Sequence, residues 1–176
     1  MVREQVEEIL DIVNSKDEVI NSLPREEVYK KGNCFIRGVW LFIQNSKGEL
    51  WIPRRVKTKK LCPNALDGSV VGHVDAGESY EDAMVREIEE EVNIKIAPED
   101  LVCLGEMGPY QLAKMSNDIR AFIKVYILKS DETPNYNKYD FYESYWLTPE
   151  QLLEKIEKGD EHKPSLPFVI KHLFIK

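Results

Sequence analysis

The sequence predicts an α/β fold in which a mixed β-sheet is packed between helices. Three observations predict it. Stretches rich in β-formers recur at 34–44, 50–52, 102–104, 119–128 and 143–147. A helical period runs through 79–92, in the middle of those strands, and two more helical stretches close the chain. No internal repeat, low-complexity tract or linker interrupts the 176 residues, so the expected organisation is a single domain over 1–176.

The elements follow in order. Residues 9–13 and 19–23 flank the turn-like Asn14-Ser15-Lys16-Asp17 and predict a β-hairpin within an N-terminal extension over 1–32. Val6, Ile9, Leu10 and Val13 also fit a helix, and the hairpin is preferred. Pro24 opens REEVYKKG, which suits a helical turn ended by Gly32. Residues 34–44 form a strand, Asn45-Ser46-Lys47-Gly48 a turn, and 50–52 its partner strand. A turn at 97–100 precedes the strand that begins at 102. The segment 108–118 then reads as a long loop, with Tyr110 its candidate for stacking on a flat group such as a base. After the strand 119–128, residues 131–140 make an exposed connection. The strand at 143–147 leads to Thr148-Pro149, which starts a helix to about residue 158, and 167–174 forms a last short helix.

The stretch 72–94, GHVDAGESYEDAMVREIEEEVNI, carries the chemistry. As a helix from Ser79 to Val92 it sets Glu87, Glu90 and Glu91 at i, i+3 and i+4, within an arc of about 100°. Carboxylates crowded in this way repel one another, and a divalent cation removes the repulsion. Mg²⁺, with Mn²⁺ as an alternative, takes such oxygen ligands together with substrate phosphates. Val85, Ile88 and Val92 form the opposite, apolar stripe. Ser79 is the N-cap, and Asn93 ends the helix where a left-handed conformation is common.

Composition narrows the classes of function. A net charge of −7 argues against a general binder of nucleic-acid polymers or membrane surfaces. Cys34, Cys62 and Cys103 lie far apart, which is neither a disulfide framework nor a zinc pattern. MVREQVEEIL is too acidic for a signal peptide, and the longest apolar run, 39–43, is too short to span a bilayer. The expected location is the cytoplasm. Five basic residues in the seven from Arg54 to Lys60 are the one concentrated positive patch. Arg54, Arg55 and Lys60 are its candidate phosphate ligands, and strand alternation lets at most one of the two arginines face a cleft. Lys59 and Lys60 fit a solvated loop equally well.

The stretch resembles the Nudix box, G-x5-E-x7-R-E-U-x-E-E-x-G-U with U apolar. Gly72, Glu78, Arg86, Glu87, Ile88, Glu90, Glu91 and Ile94 all fall in place, and Asn93 stands where the family has Gly. The resemblance implies an α/β/α sandwich. It also implies a metal-dependent hydrolase of a nucleoside diphosphate linked to another group, nucleoside di- and triphosphates foremost. Carried over, Glu87, Glu90 and Glu91 hold metal with a backbone carbonyl near Val71, and Arg86 orients the carboxylates, with Glu78 placed to pair with it. Glu90 is the first choice of general base, and Glu106, Asp118 and Glu143 are downstream alternatives. His73 reads as a loop histidine with satisfied hydrogen bonds or as a ligand.

The segments DIVNSKDEVI, ELWIPRR and KKLCPNALDGSVVGHV are similar to the Nudix branch related to type 1 isopentenyl diphosphate isomerases. Those isomerases carry a catalytic Cys where this chain has Val71. Isomerisation and a non-catalytic nucleotide sensor are the alternative functions. Many relatives pair, and a homodimer is compatible with Tyr136, Tyr139, Phe141 and Tyr142 as exposed aromatics, although a packed loop explains them as well.

Overall fold

The computed structural model describes residues 7–111 and 118–175, excluding the side chains of Tyr110 and Gln111. Its centre is an eight-stranded mixed sheet whose main path runs β2-β1-β3-β4-β8. The strands are β1 (Ile9–Val13), β2 (Val19–Pro24), β3 (Cys34–Gln44), β4 (Leu50–Arg55), β5 (Val70–His73), β6 (Val102–Gln111), β7 (Ile119–Lys129) and β8 (Phe141–Leu147). The helices are α1 (Arg25–Lys31), α2 (Tyr80–Val92), α3 (Pro149–Glu157) and α4 (Leu166–Leu173).

Strand β3 is the hub. One edge pairs in parallel with β7 along its whole length, from Cys34↔Ile119 to Gln44↔Lys129. The other edge is divided among β1 at Phe35, β5 at Gly38–Leu41 and β4 at Gln44. Its side chains alternate between two cores. Ile36, Trp40 and Phe42 join the core under Val28 of α1, Leu152 of α3, and Leu166, Val169 and Ile170 of α4. Val39, Leu41 and Ile43 join the one under Ala83, Met84, Ile88 and Val92 of α2. A strand covered on both faces needs an unbroken apolar run, and residues 39–43 supply it. The arrangement is the expected α/β/α sandwich, and the N-terminal hairpin pairs β1 with β2 as preferred.

Five expectations need correction. The strand at 50–52 meets β3 only at Gln44↔Leu50, and its long partner is β8. The edge of β3 is taken by β5, so β4 diverges to find another strand. His73, expected in a loop, belongs with residues 70–72 to a strand, since pairing with β3 overrides the breaking tendency of Gly72. Much of the supposed loop from 108 is the end of β6, paired with β7 as far as Gln111↔Arg120. Residues 112–117 and the side chain of Tyr110 lie outside the described residues. The apolar stripe of α2 consists of Tyr80, Ala83, Met84, Ile88 and Val92, and Val85 is only half-buried. Of the four aromatics at 136–142, Phe141 is buried and Tyr136 packs on Trp51 at 5.6 Å. Tyr139 and Tyr142 are exposed.

No helix among the described residues is long and apolar enough to cross a membrane. Helix α3 starts on a capping box, with Thr148 and Gln151 each bonding the other's backbone N–H. Behind it Asp160 accepts from Lys155 at 2.8 Å and from Arg54 at 2.8 Å. Burial works against the Asp160 charge, but these two partners outweigh it and hold the carboxyl below its ordinary range. Because the folded pKa is depressed, this stabilisation is present above the ordinary carboxylate pKa and fades as the pH falls through the folded value. Asp160→Asn is therefore expected to lower the urea midpoint at pH 7. The gap from the unsubstituted protein should close toward pH 3, and a gap that stays constant with pH would contradict this.

Candidate active site

Helix α2 is fixed at both ends by the residues the pattern assigns. Ser79 Oγ accepts from the Asp82 N–H at 3.1 Å. Asn93 sits at φ 55°, ψ 32°, and its N–H donates to the Glu89 carbonyl. With its apolar stripe on the sheet, the helix presents Glu87, Glu90 and Glu91 to a cleft of 860 Å³. Val71, Gly72 and His73 of β5 form the adjoining wall.

The carboxylates are held differently. Arg86 grips Glu78 with two bonds of 2.9 Å, Glu87 with one of 2.9 Å and the His73 carbonyl at 3.1 Å. Glu78 sits behind Arg86, and its other contact is the Asp75 N–H at 3.1 Å. Burial disfavours the Glu78 charge, but Arg86 outweighs it and holds the carboxyl below its usual range. Glu87 lies against Gly72, where an added Cβ would come within 2.1 Å of the Glu87 carboxyl carbon. Its carboxyl is pushed up to about 7, by burial first and by the nearby Glu90 charge, with Arg86 opposing. Glu91 is buried, accepts from the Val71 N–H at 3.3 Å, and is raised well above the ordinary value. Burial is the main cause, followed by the charges of Glu87, Asp67 and Asp140, while Lys163 pulls the other way. Glu90 is exposed at the cleft mouth.

The donor set fits a hard divalent cation: carboxylate oxygens on one helical face, with a β5 backbone beside them. Two of the carboxyls are raised because negative charges crowd in a buried place, and a cation relieves that cost. Among the described residues no trio of His, Cys, Asp or Glu is drawn close enough to hold an ion unaided. Water and substrate phosphate oxygens would complete the coordination, as Mg²⁺ commonly requires.

Of the predicted site residues, Val71, Arg86, Glu87, Glu90, Glu91 and Arg55 come together on the cleft. Arg54 does not. It is buried on the other side of β4, bonded to Glu143 at 3.0 Å, Asp160 at 2.8 Å and the Asn64 carbonyl at 3.0 Å. Lys60 does not either, since its side chain is 91% exposed and lies 3.8 Å from Glu26. Its neighbour Lys59 lines the cleft, paired with Asp140. Neither Glu106, Asp118 nor Glu143 lines it.

The pattern missed the contribution of the N-terminal extension. Glu8 Oε1 meets His73 Nδ1 at 2.9 Å, and Tyr29 Oη meets His73 Nε2 at 3.0 Å. The Glu8 carboxylate can only accept, so His73 donates from Nδ1 and accepts a hydrogen bond from the Tyr29 hydroxyl at Nε2. Burial lowers the His73 pKa, which keeps the ring neutral. Burial also works against the Glu8 charge, but His73 and Arg25 outweigh it and hold the carboxyl at about 2. The satisfied-histidine reading is the one the geometry fits. Asp67 and Lys163, also unforeseen, flank Arg55.

An acidic loop–helix element on an α/β/α sandwich defines a Nudix domain, and residues 35–168 match the family model described as NUDIX domain. The chain belongs to the Nudix family and is a pyrophosphohydrolase of that class. It is 45% identical over 159 residues to an uncharacterized Nudix hydrolase of Nostoc sp., covering 90% of this chain and 91% of that one. It is 40% identical over 168 residues to a Nudix hydrolase of Deinococcus radiodurans, covering 96% of this chain and 95% of that one. The crystal structure of DR0079 from Deinococcus radiodurans superposes with a TM-score of 0.83 at 41% identity, covering 95% of this chain and 99% of that one.

Proposed function

We propose that the cleft hydrolyses the phosphoanhydride bond of a nucleoside diphosphate linked to another group, with nucleoside di- and triphosphates as the favoured substrates. The products are a nucleoside monophosphate and phosphate or pyrophosphate. The observation that carries this reading is the joint presence of Glu87, Glu90 and Glu91 on one wall and Arg55 on another wall of the same cleft. Mg²⁺, or Mn²⁺ in its place, would be held by the three glutamates with the Val71 carbonyl, and when bound it supplies positive charge to the phosphate oxygens.

The chain's own residues do the remaining work. Arg86 ties Glu87 to Glu78 and so fixes its carboxylate before substrate arrives. Arg55 offers a guanidinium to the phosphate oxygens. Glu90 accepts a proton from the attacking water as the new oxygen–phosphorus bond forms and the bridging oxygen leaves with the second phosphate. The isomerase kinship belongs to this reading as ancestry of the scaffold. Val71 offers no thiol, and the thiol that does line the cleft, Cys62, comes from another loop. Of the four aromatics at 136–142, the exposed Tyr139 and Tyr142 are open to a contact between two copies, which the mass in solution would test.

The deciding experiment incubates the purified protein with Mg²⁺ and a panel of nucleotides, then with isopentenyl diphosphate, and identifies products by phosphorus NMR. Nucleoside monophosphate is expected. Tight nucleotide binding with no product would favour a sensor, and an isomerised alkene would favour the other enzyme.

A further inference from the structure

Two cations on the cleft wall share one buried anion. Arg55 donates from Nη1 to Asp67 Oδ2 at 2.9 Å, and Lys163 Nζ reaches the same oxygen at 3.2 Å. The Asp67 side chain is 2% exposed, and its other oxygen takes the Gly68 N–H at 2.8 Å. Asp67 is held behind the wall, while Arg55 and Lys163 face the cleft. Backbone pairing brings Lys163 there from a distant part of the chain. Its N–H donates to the Leu66 carbonyl at 2.8 Å, and the Leu66 N–H donates to the Glu161 carbonyl at 2.8 Å. The Lys163 ammonium also lies 5.4 Å from the centre of the Trp40 ring, which limits where it can point.

Lys59 is paired with Asp140, while Arg55 and Lys163 share the one carboxylate of Asp67, and Arg55 Nε is buried with no hydrogen-bond partner among the described residues. A buried donor left over on a cleft wall can serve an anionic oxygen of the ligand. A planar fork beside a compact ammonium suits a phosphate, which has enough oxygens to serve both.

We propose that Asp67 is a positioning residue that fixes Arg55 and Lys163 as a seat for a second phosphate of the substrate, adjacent to the one reached from the acidic helix. The naming of the ligand as a diphosphate rests on the hydrolase reading above. Lys163 and Arg55 touch that phosphate; Asp67 touches only them. Without its charge the two cations repel each other and lose their common anchor.

Calorimetric titration with methylenediphosphonate, a diphosphate mimic whose carbon bridge water cannot cleave, tests the seat in the presence of Mg²⁺. Lys163→Ala and Asp67→Asn are each expected to weaken binding about tenfold. Lys163→Arg should retain most of the affinity, and the double variant should lose less than the two single losses combined, because both act on one unit. In turnover, Asp67→Asn should raise KM about tenfold with kcat reduced less than twofold, a split that a general loosening of the fold would not give. If Asp67→Asn does not fold, Lys163→Ala decides alone, and wild-type affinity in it overturns the seat. Nucleotide turnover with mimic binding indifferent to Lys163 would sink the seat and spare the hydrolase. Mimic binding sensitive to Lys163 without turnover of any nucleotide would do the reverse.

Discussion

Glu90→Gln is expected to cut kcat by at least about 100-fold, the usual scale for loss of a positioned general base. The substitution keeps shape and hydrogen-bonding capacity while removing the proton acceptor and one negative oxygen. Glu90 is exposed and its side chain makes no hydrogen bond or ion pair among the described residues, so the melting temperature should move by no more than about 1–2 °C. The contrast with Glu87 is informative. Glu87 is clamped by Arg86, and a clamped, partly buried carboxylate is suited to holding a fixed position. Steady-state kinetics beside a thermal melt checks both halves. A Glu90→Gln protein with full turnover would remove Glu90 from the mechanism, and Glu87 would become the next candidate.

Gly72→Ala should be almost as damaging, by a purely steric route. The methyl group would stand 2.1 Å from both the carboxyl carbon and Oε1 of Glu87 and 2.5 Å from its Cγ. These atoms are the end of a flexible side chain, so the backbone can stay in place while the carboxylate is pushed aside. Displacing a catalytic group by about 1 Å can cost about 100-fold in rate, and a loss of that size is expected in kcat/KM. The fold should survive with its β3–β5 pairing intact, visible as an unchanged far-ultraviolet circular dichroism spectrum. Full activity in Gly72→Ala would mean that Glu87 has freedom this geometry denies it. The glycine that opens the motif then has a physical reason: it leaves room for a carboxylate.

The helix was the most readable part of the chain because everything that defines it is local. Ser79 and Asn93 cap it, and its three glutamates share a face at spacings set by the helical turn. The Arg86–Glu78 pair, eight residues apart, was readable for the same reason. Strand alternation said that at most one of Arg54 and Arg55 could face the cleft, but not which. The choice is made by Glu143 and Asp160, which lie 89 and 106 residues further on. No local period encodes such partners. Lys163 and Asp67 are 96 residues apart and meet only because two backbone segments bridge at Leu66. Strand β5 was hidden by its own glycine, since a four-residue strand carrying a turn-former reads as a loop until its partner is known.

The matched family region begins at residue 35, yet Glu8 and Tyr29 occupy both nitrogens of the His73 ring. A chain trimmed to that boundary would leave the imidazole bare on its two sides, one residue from the glycine that cradles Glu87. Glu7, Glu8, Arg25 and Tyr29, which precede that boundary, are thus a lining of the workshop and not a porch in front of it. Measurements made on the shorter piece would describe a different cavity.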